Sequence, residues 1–356
     1  MRPGLVIAAV LASVAVLAMT QAAAVARVGR PIARKASSAV GCHAAAYNGT
    51  VPAAGPGLDT TSLGPTAPEA YEIGSPLSFP ELFEPVKRVM ILIHGGAWEV
   101  VGKRVMETER TVALGWRAAG WETVSITYQA CGQSIPDVLR FYDLIRRNVG
   151  AHVPICIEGQ SAGAHLALMI ASLRAGVACV IAEGAPTDLR TMAAQGAHEA
   201  ATHVSIARLR TGSALVAAIA RAAFGTTRLA YASPVTHAAS IHARLLLGRA
   251  DDDWVIPREQ APELAAAVLR AHPNAYVDVD NLASGTVEWT HAPVSAAAAS
   301  GFATRIARLV APYGRAPTSG IVIPPLPPGL KNLPATATAN DHRALQITEE
   351  LSLTNM

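Results

Sequence analysis

Charge is scarce in this sequence. Only 15% of its residues are Asp, Glu, Lys or Arg, against 51% hydrophobic, a balance that excludes a disordered chain and lets 356 residues bury a sizeable core. Dense Lys/Arg runs and basic-aromatic stripes are also missing, and the formal net charge is only +3, so the electrostatic footprint of a nucleic-acid partner is excluded. No segment reaches the roughly 20 consecutive apolar residues of a bilayer-spanning helix. Cysteine is rare, with four in the whole chain, and no internal repeat is present.

The N-terminus opens on the basic pair Met1-Arg2, continues through the apolar run Leu5 to Ala18, and reaches small residues at Ala22 to Ala26. That order, with Ala24-Val25-Ala26 as the cleavage site, reads as a signal peptide over 1–26 and predicts a secreted or extracytoplasmic protein. An uncleaved anchor is the alternative, and no stable span is expected once the signal is removed. Cys42, Cys131, Cys156 and Cys179 all lie beyond the cleavage site. Export into an oxidising compartment with an even count favours disulfides over buried free thiols. Of the three possible pairings, Cys42 with Cys131 and Cys156 with Cys179 is preferred, because the last two sit on what read as consecutive strands.

Residues 27–80 are rich in Gly, Pro, Ser, Thr and Ala with little hydrophobic period, as a linker or surface-wrapping arm would be. From Val86 onward short apolar runs alternate with helical patterns. Strands are expected at 89–93, 123–127, 154–158, 178–182, 244–247 and 275–279, and helices near 105–119, 136–148, 162–174, 259–270 and 294–309. That rhythm implies a mostly parallel sheet covered by helices on both faces. The Ala-rich stretch 189–229 interrupts it without a strand and reads as a small helical cap inserted into an 81–312 catalytic domain. Beyond it, 313–356 is Pro-rich and then polar, the composition of a poorly ordered tail.

Ser161 stands where an apolar strand meets a helix, within Gly159-Gln160-Ser161-Ala162-Gly163. The G-x-S-x-G spacing has a steric cause: the strand-to-helix turn is so tight that side chains at the two glycine positions would clash, and it lifts the hydroxyl clear of the sheet. Upstream, His94-Gly95-Gly96-Ala97-Trp98 directly follows the strand 89–93. Adjacent glycines let backbone N–H groups approach an oxyanion, and the amide of Ala162 adds another donor, each worth on the order of 3 kcal/mol in a transition state. His94 itself reads as a structural residue of the loop rather than a base.

A serine hydroxyl needs a base, and the base needs a carboxylate. The strand 244–247 runs into Gly248-Arg249-Ala250-Asp251-Asp252-Asp253-Trp254-Val255-Ile256-Pro257. Asp251, three residues after Gly248, is the first choice of acid; Asp253, four residues before Pro257, is its rival. Only His272, His291 and His342 follow this turn. His272 falls at a helix C-terminus, where the dipole favours a cation, and His342 falls in the tail. His291 lies between the last expected strand and the last helix, where a general base belongs.

These motifs, in this order, resemble the esterase/lipase branch of the α/β-hydrolase superfamily over about residues 80–312, with Tyr128–Asn148 and Ala232–Val235 resembling flanking segments of the family. The resemblance implies an α/β-hydrolase fold and hydrolysis of carboxylic esters, small-molecule or lipid, through an acyl-enzyme without metal or organic cofactor. It assigns Ser161, Asp251 and His291 as the triad and Gly95, Gly96 and Ala162 as oxyanion donors. Two departures are notable: Ala97 replaces a third glycine, and Thr290 replaces a frequent glycine before the histidine. A peptidase, an acyltransferase, or a non-catalytic binding member of the fold are the alternatives.

Overall fold

Val-Met-Ile-Leu-Ile at 89–93 is apolar at every position and fully buried, as a strand covered on both faces must be. The computed structural model describes residues 70–72, 86–98, 112–113, 115–126, 128, 131–202, 209–250, 253, 255–281 and 296–317. All of these fall in one of the two units of the chain, Cys42–Met356. Their strands are β1 (Ala70–Glu72), β2 (Val89–Ile93), β3 (Glu122–Ile126), β4 (Ile155–Gln160), β5 (Val177–Glu183), β6 (Arg244–Arg249) and β7 (Val277–Asn281). They form one sheet in the order β1-β3-β2-β4-β5-β6-β7. Only β1 is antiparallel to its neighbour.

The chain leaves β2 for β3 on one side and returns to lay β4 on the other. The carboxyl ends of β2 and β4 therefore flank a topological switch point, where open α/β sheets bind ligands. Ile93 and Gly159 are register partners, so the segments that follow them emerge side by side.

The helices that accompany the sheet include α1 (Ser134–Val149), α2 (Ala162–Leu173), α3 (Met192–Thr202), α4 (Leu209–Phe224), α5 (Gln260–Ala271) and α6 (Ala296–Val310), and residues 112–113 and 115–118 are helical as well, within the helix expected near 105–119. In α1, Ile135, Val138, Tyr142 and Ile145 recur at helical spacing and are buried. By contrast α2 is buried from Ala162 to Ser172, the mark of an enclosed helix. It packs on β2, β4 and β5. Met90, Leu92, Cys156, Ile181 and Leu246 of the sheet meet Trp116, Trp121, Phe302, Ile306 and Leu309 in one core cluster.

The mostly parallel sheet is thus the α/β-hydrolase arrangement expected from the sequence, with differences at element ends. The strand expected at 154–158 continues to Gln160, because Gly159 and Gln160 still pair with Ala182 and Glu183 of β5. Ladder pairing, not hydrophobicity, ends it. The strand expected at 275–279 runs over Val277–Asn281 instead. Arg305 of α6 pairs with both Asp278 and Asp280, which reconciles two carboxylates with a strand. The chain from β5 to β6 carries α3 and α4, which pack on each other.

Cys156 and Cys179 are register partners on β4 and β5 and form a disulfide, with Cα atoms 4.5 Å apart and both residues fully buried. The other expected pair lies outside the described residues, as Cys42 does. So do the signal segment, most of the arm and nearly all of the tail. No helix among the described residues is long and apolar enough to cross a membrane.

Candidate active site

The turn from β4 into α2 holds Ser161 at φ 53°, ψ −118°, a left-sided conformation that costs a residue with a Cβ roughly 1–3 kcal/mol. It is fixed by its ends: the Ser161 amide donates to the Glu183 carbonyl of β5 at 2.8 Å, and the Ser161 carbonyl accepts the His165 amide at 3.0 Å. The flanking glycines are sterically required. A Cβ on Gly159 would lie 2.5 Å from the Gly163 carbonyl, and one on Gly163 would lie 2.0 Å from the Ile93 carbonyl oxygen. The expected steric reason for G-x-S-x-G is therefore met in both directions, by the turn itself and by the neighbouring strand.

The loop after β2 comes against that turn. A Cβ on Gly95 would sit 3.1 Å from the Gln160 carbonyl oxygen and 3.4 Å from the Ser161 Cβ, so the Gly95 backbone is in near contact with Ser161. Gly96 takes φ 109°, and Ala97 and Trp98 take φ 51° and 63°. Ala97 stands where the resembling family has its third glycine, and its left-handed backbone explains that preference. Ala162, buried, opens α2, where the first amides have no partner within the helix.

Two buried histidines support this loop. His94 Nδ1 lies 2.7 Å from the Gly95 carbonyl oxygen, so Nδ1 carries the proton and donates. The ring stacks on Tyr128 at 4.3 Å, and the Tyr128 hydroxyl reaches the His94 and Gly95 carbonyl oxygens at 3.1 and 3.2 Å. Desolvation lowers the His94 pKa to about 4, against a smaller upward push from the Gly95 bond, which makes it a poor base and a good brace.

His165 accepts from Trp98 Nε1 on its Nδ1 at 3.0 Å and donates from Nε2 to the Ala232 carbonyl at 2.7 Å. Burial holds its pKa near 4 as well. Phe224 of α4 packs edge-on against Trp98. No motif in the sequence singles out His165; its only signal is a histidine one turn beyond Ser161 in an otherwise apolar helix.

A pair of carboxyls lies at the same end of the sheet. Glu158 accepts from Trp116 Nε1 at 2.5 Å. Desolvation raises its pKa, and desolvation with the charge of Glu158 raises that of Glu183. Each carboxyl thus favours its neutral form well above the usual carboxylate range.

Asp253 is buried, and its Oδ1 accepts the amides of Val255 and Ile256 at 2.8 and 2.9 Å. Asp251 and His291 lie outside the described residues. His272 caps α5, with Nε2 2.9 Å from the Ala239 carbonyl oxygen, in keeping with a structural role. Among the described residues no group of three or more His, Cys, Asp or Glu is arranged to hold a metal ion. The structure therefore brings Gly95, Ser161 and Ala162 together at the switch point.

Residues 77–268 match the model of the BD-FAE family, more than half of the chain. The chain belongs to the BD-FAE family. This BD-FAE member has the fold of the α/β-hydrolase superfamily, with the matched span covering the glycine loop, the serine turn and the acid turn. Its likeness to solved structures is distant. An esterase of Pyrococcus furiosus superposes with a TM-score of 0.44 at 15% identity, covering 64% of this chain and 82% of that one. A puromycin-hydrolyzing peptidase of Mycobacterium tuberculosis gives 0.48 at 15% identity, covering 66% and 36%. An esterase/lipase from an uncultured bacterium gives 0.43 at 15% identity, covering 55% and 67%. No curated protein matches the chain significantly.

Proposed function

We propose that this protein is a secreted serine hydrolase that cleaves carboxylic esters through an acyl-enzyme, with Ser161 as nucleophile and His291 as general base. The observation that carries the reading is the contact between Gly95 and Ser161: a glycine backbone lies against a serine held at φ 53°. A carbonyl attacked by Ser161 Oγ would place its developing oxyanion beside the amides of Gly95, Gly96 and Ala162. His291 takes the serine proton and returns it to the leaving alcohol, and water then releases the acid by the reverse path.

For the acid we take Asp253, the rival of Asp251 in the sequence; Asp251 itself lies outside the described residues. A carboxylate that steadies an imidazolium must be held in place, and Asp253 is buried with one oxygen tied to two amides. It also lies beyond the carboxyl end of β6, where a triad acid is expected. Secretion is supported by the N-terminal sequence and by the Cys156–Cys179 disulfide.

The test is hydrolysis of short-chain p-nitrophenyl esters by the mature chain, with fluorophosphonate labelling of Ser161. Ser161→Ala is expected to abolish both. Retained turnover or labelling in that variant refutes the assignment, and hydrolysis of peptide amides without esters refutes the substrate class.

A further inference from the structure

The helical insert and the acid turn share one foundation. Ser233 closes the insert at its root: its hydroxyl donates to the Leu229 carbonyl at 2.6 Å and accepts the Leu189 amide at 3.0 Å. Beside it sits Gln260, the first residue of α5, with no solvent exposure. Its Oε1 accepts the amides of Thr187 and Asp188 at 2.6 and 2.7 Å, and its own carbonyl accepts the Thr187 hydroxyl at 2.6 Å. Its Nε2 donates to the side chain of Gln195 on α3, and Gln195 in turn donates to Glu263 of α5 at 2.9 Å. One amide side chain thus fastens the root and first helix of the insert to the element that follows the acid turn.

The contact continues in apolar form. Met192 of α3 and Ala217 of α4 make a small buried cluster with Val255 and Ile256, separate from the main core, with Ala193 and Val216 packed beside it. Val255 and Ile256 are the residues whose amides hold Asp253 Oδ1. Their side chains are gripped by the insert while their backbone grips the carboxylate. A shift of the insert must therefore move the acid.

We propose that the α3–α4 insert is a positioning element for the acid turn and that Gln260 is the positioning residue that locks it there. The proposal rests on the reading of Asp253 as the triad acid. A wall that only selects substrates would alter KM for long acyl chains, whereas an insert that sets the acid alters kcat even for acetate esters, which are too short to need a wall.

The test is a double-mutant cycle on the full mature chain, with p-nitrophenyl acetate and p-nitrophenyl octanoate as probes. Gln260→Leu is expected to lower kcat on the acetate ester about tenfold with KM nearly unchanged. Gln260→Glu, which keeps the acceptor for both amides but loses the donor to Gln195 and buries a charge, is expected to leave most of the loss in place. In an Asp253→Asn background, Gln260→Leu should cost less than about twofold more, because the two residues act through one group. Met192→Ala, which loosens only the apolar contact, should repeat the pattern if Gln260→Leu does not fold.

Equal losses in both backgrounds, or an effect confined to KM of the octanoate, overturn the positioning role while leaving Asp253 as acid. Full activity in Asp253→Asn overturns the acid assignment and the proposal with it.

Discussion

Trp98 Nε1 donates to His165 Nδ1 across 3.0 Å, joining the His94–Trp98 motif to the helix that opens at Ala162. The bond requires a neutral His165 whose Nε2 carries the proton, and that proton goes to the Ala232 carbonyl. Trp98→Phe removes the donor and leaves a buried nitrogen unpaired. It is expected to cost about 1–3 kcal/mol of stability, read from thermal or denaturant unfolding, and to lower kcat as the loop loosens.

The same bond sets a limit at low pH. Burial depresses the His165 pKa from 6.5 to about 4, so the folded state binds fewer protons than the unfolded chain between those values. The contribution is complete above pH 6.5 and is lost as pH falls toward 4. Denaturant titrations of the parent and of His165→Phe should show a shallower fall over that interval in the variant. An unchanged slope would contradict a buried neutral imidazole.

The carboxyl pair acts in the opposite sense. Burial raises the pKa of both Glu158 and Glu183, and the charge of Glu158 raises that of Glu183 further, so the folded state holds more protons than the unfolded chain. Stability from this pair is present below 4.5 and declines as pH rises above it. Glu158→Gln, which cannot ionise, should flatten that decline; the measurement is unfolding free energy from pH 5 to 9, parent against variant.

Backbone conformation separates two substitutions that look alike. Ala97 has φ 51°, so Ala97→Gly relieves a left-handed alanine and is expected to raise stability by up to about 1 kcal/mol. Gly163→Ala would put a Cβ 2.0 Å from the Ile93 carbonyl oxygen and 2.4 Å from that of His94, displacing the loop from the serine. A shift near 1 Å costs about 100-fold in turnover. Parallel melting and ester kinetics on the two variants check both signs.

The Cys156–Cys179 bridge closes a sequence separation of 23 and is fully buried. Its removal in a Cys156→Ala/Cys179→Ala variant is expected to cost about 3 kcal/mol. Native protein should resist reduction until it unfolds, measured by thiol release with and without denaturant.

Much of this architecture was legible from local pattern. Fully apolar runs such as 89–93 announced buried parallel strands, and the Ala-rich stretch 189–229 announced helices. The glycines around Ser161 and in 95–96 were readable because each answers a local steric demand of a tight turn. Strand ends were less so: β4 stops where its partner β5 stops, and no residue of β4 encodes that.

Sequence alone therefore determined the sheet and its helices, the serine turn and the glycine loop, all set by hydrophobic period or by the backbone freedom of single residues, and left the Cys156–Cys179 pair as one of three pairings. Tertiary structure alone decided which groups brace them. Trp98 and His165 stand 67 positions apart, and Gln260 and Thr187 stand 73 apart. Hydrogen bonds of that span leave no periodic trace in the chain, because a buried polar group takes whichever partner the packing of distant elements delivers.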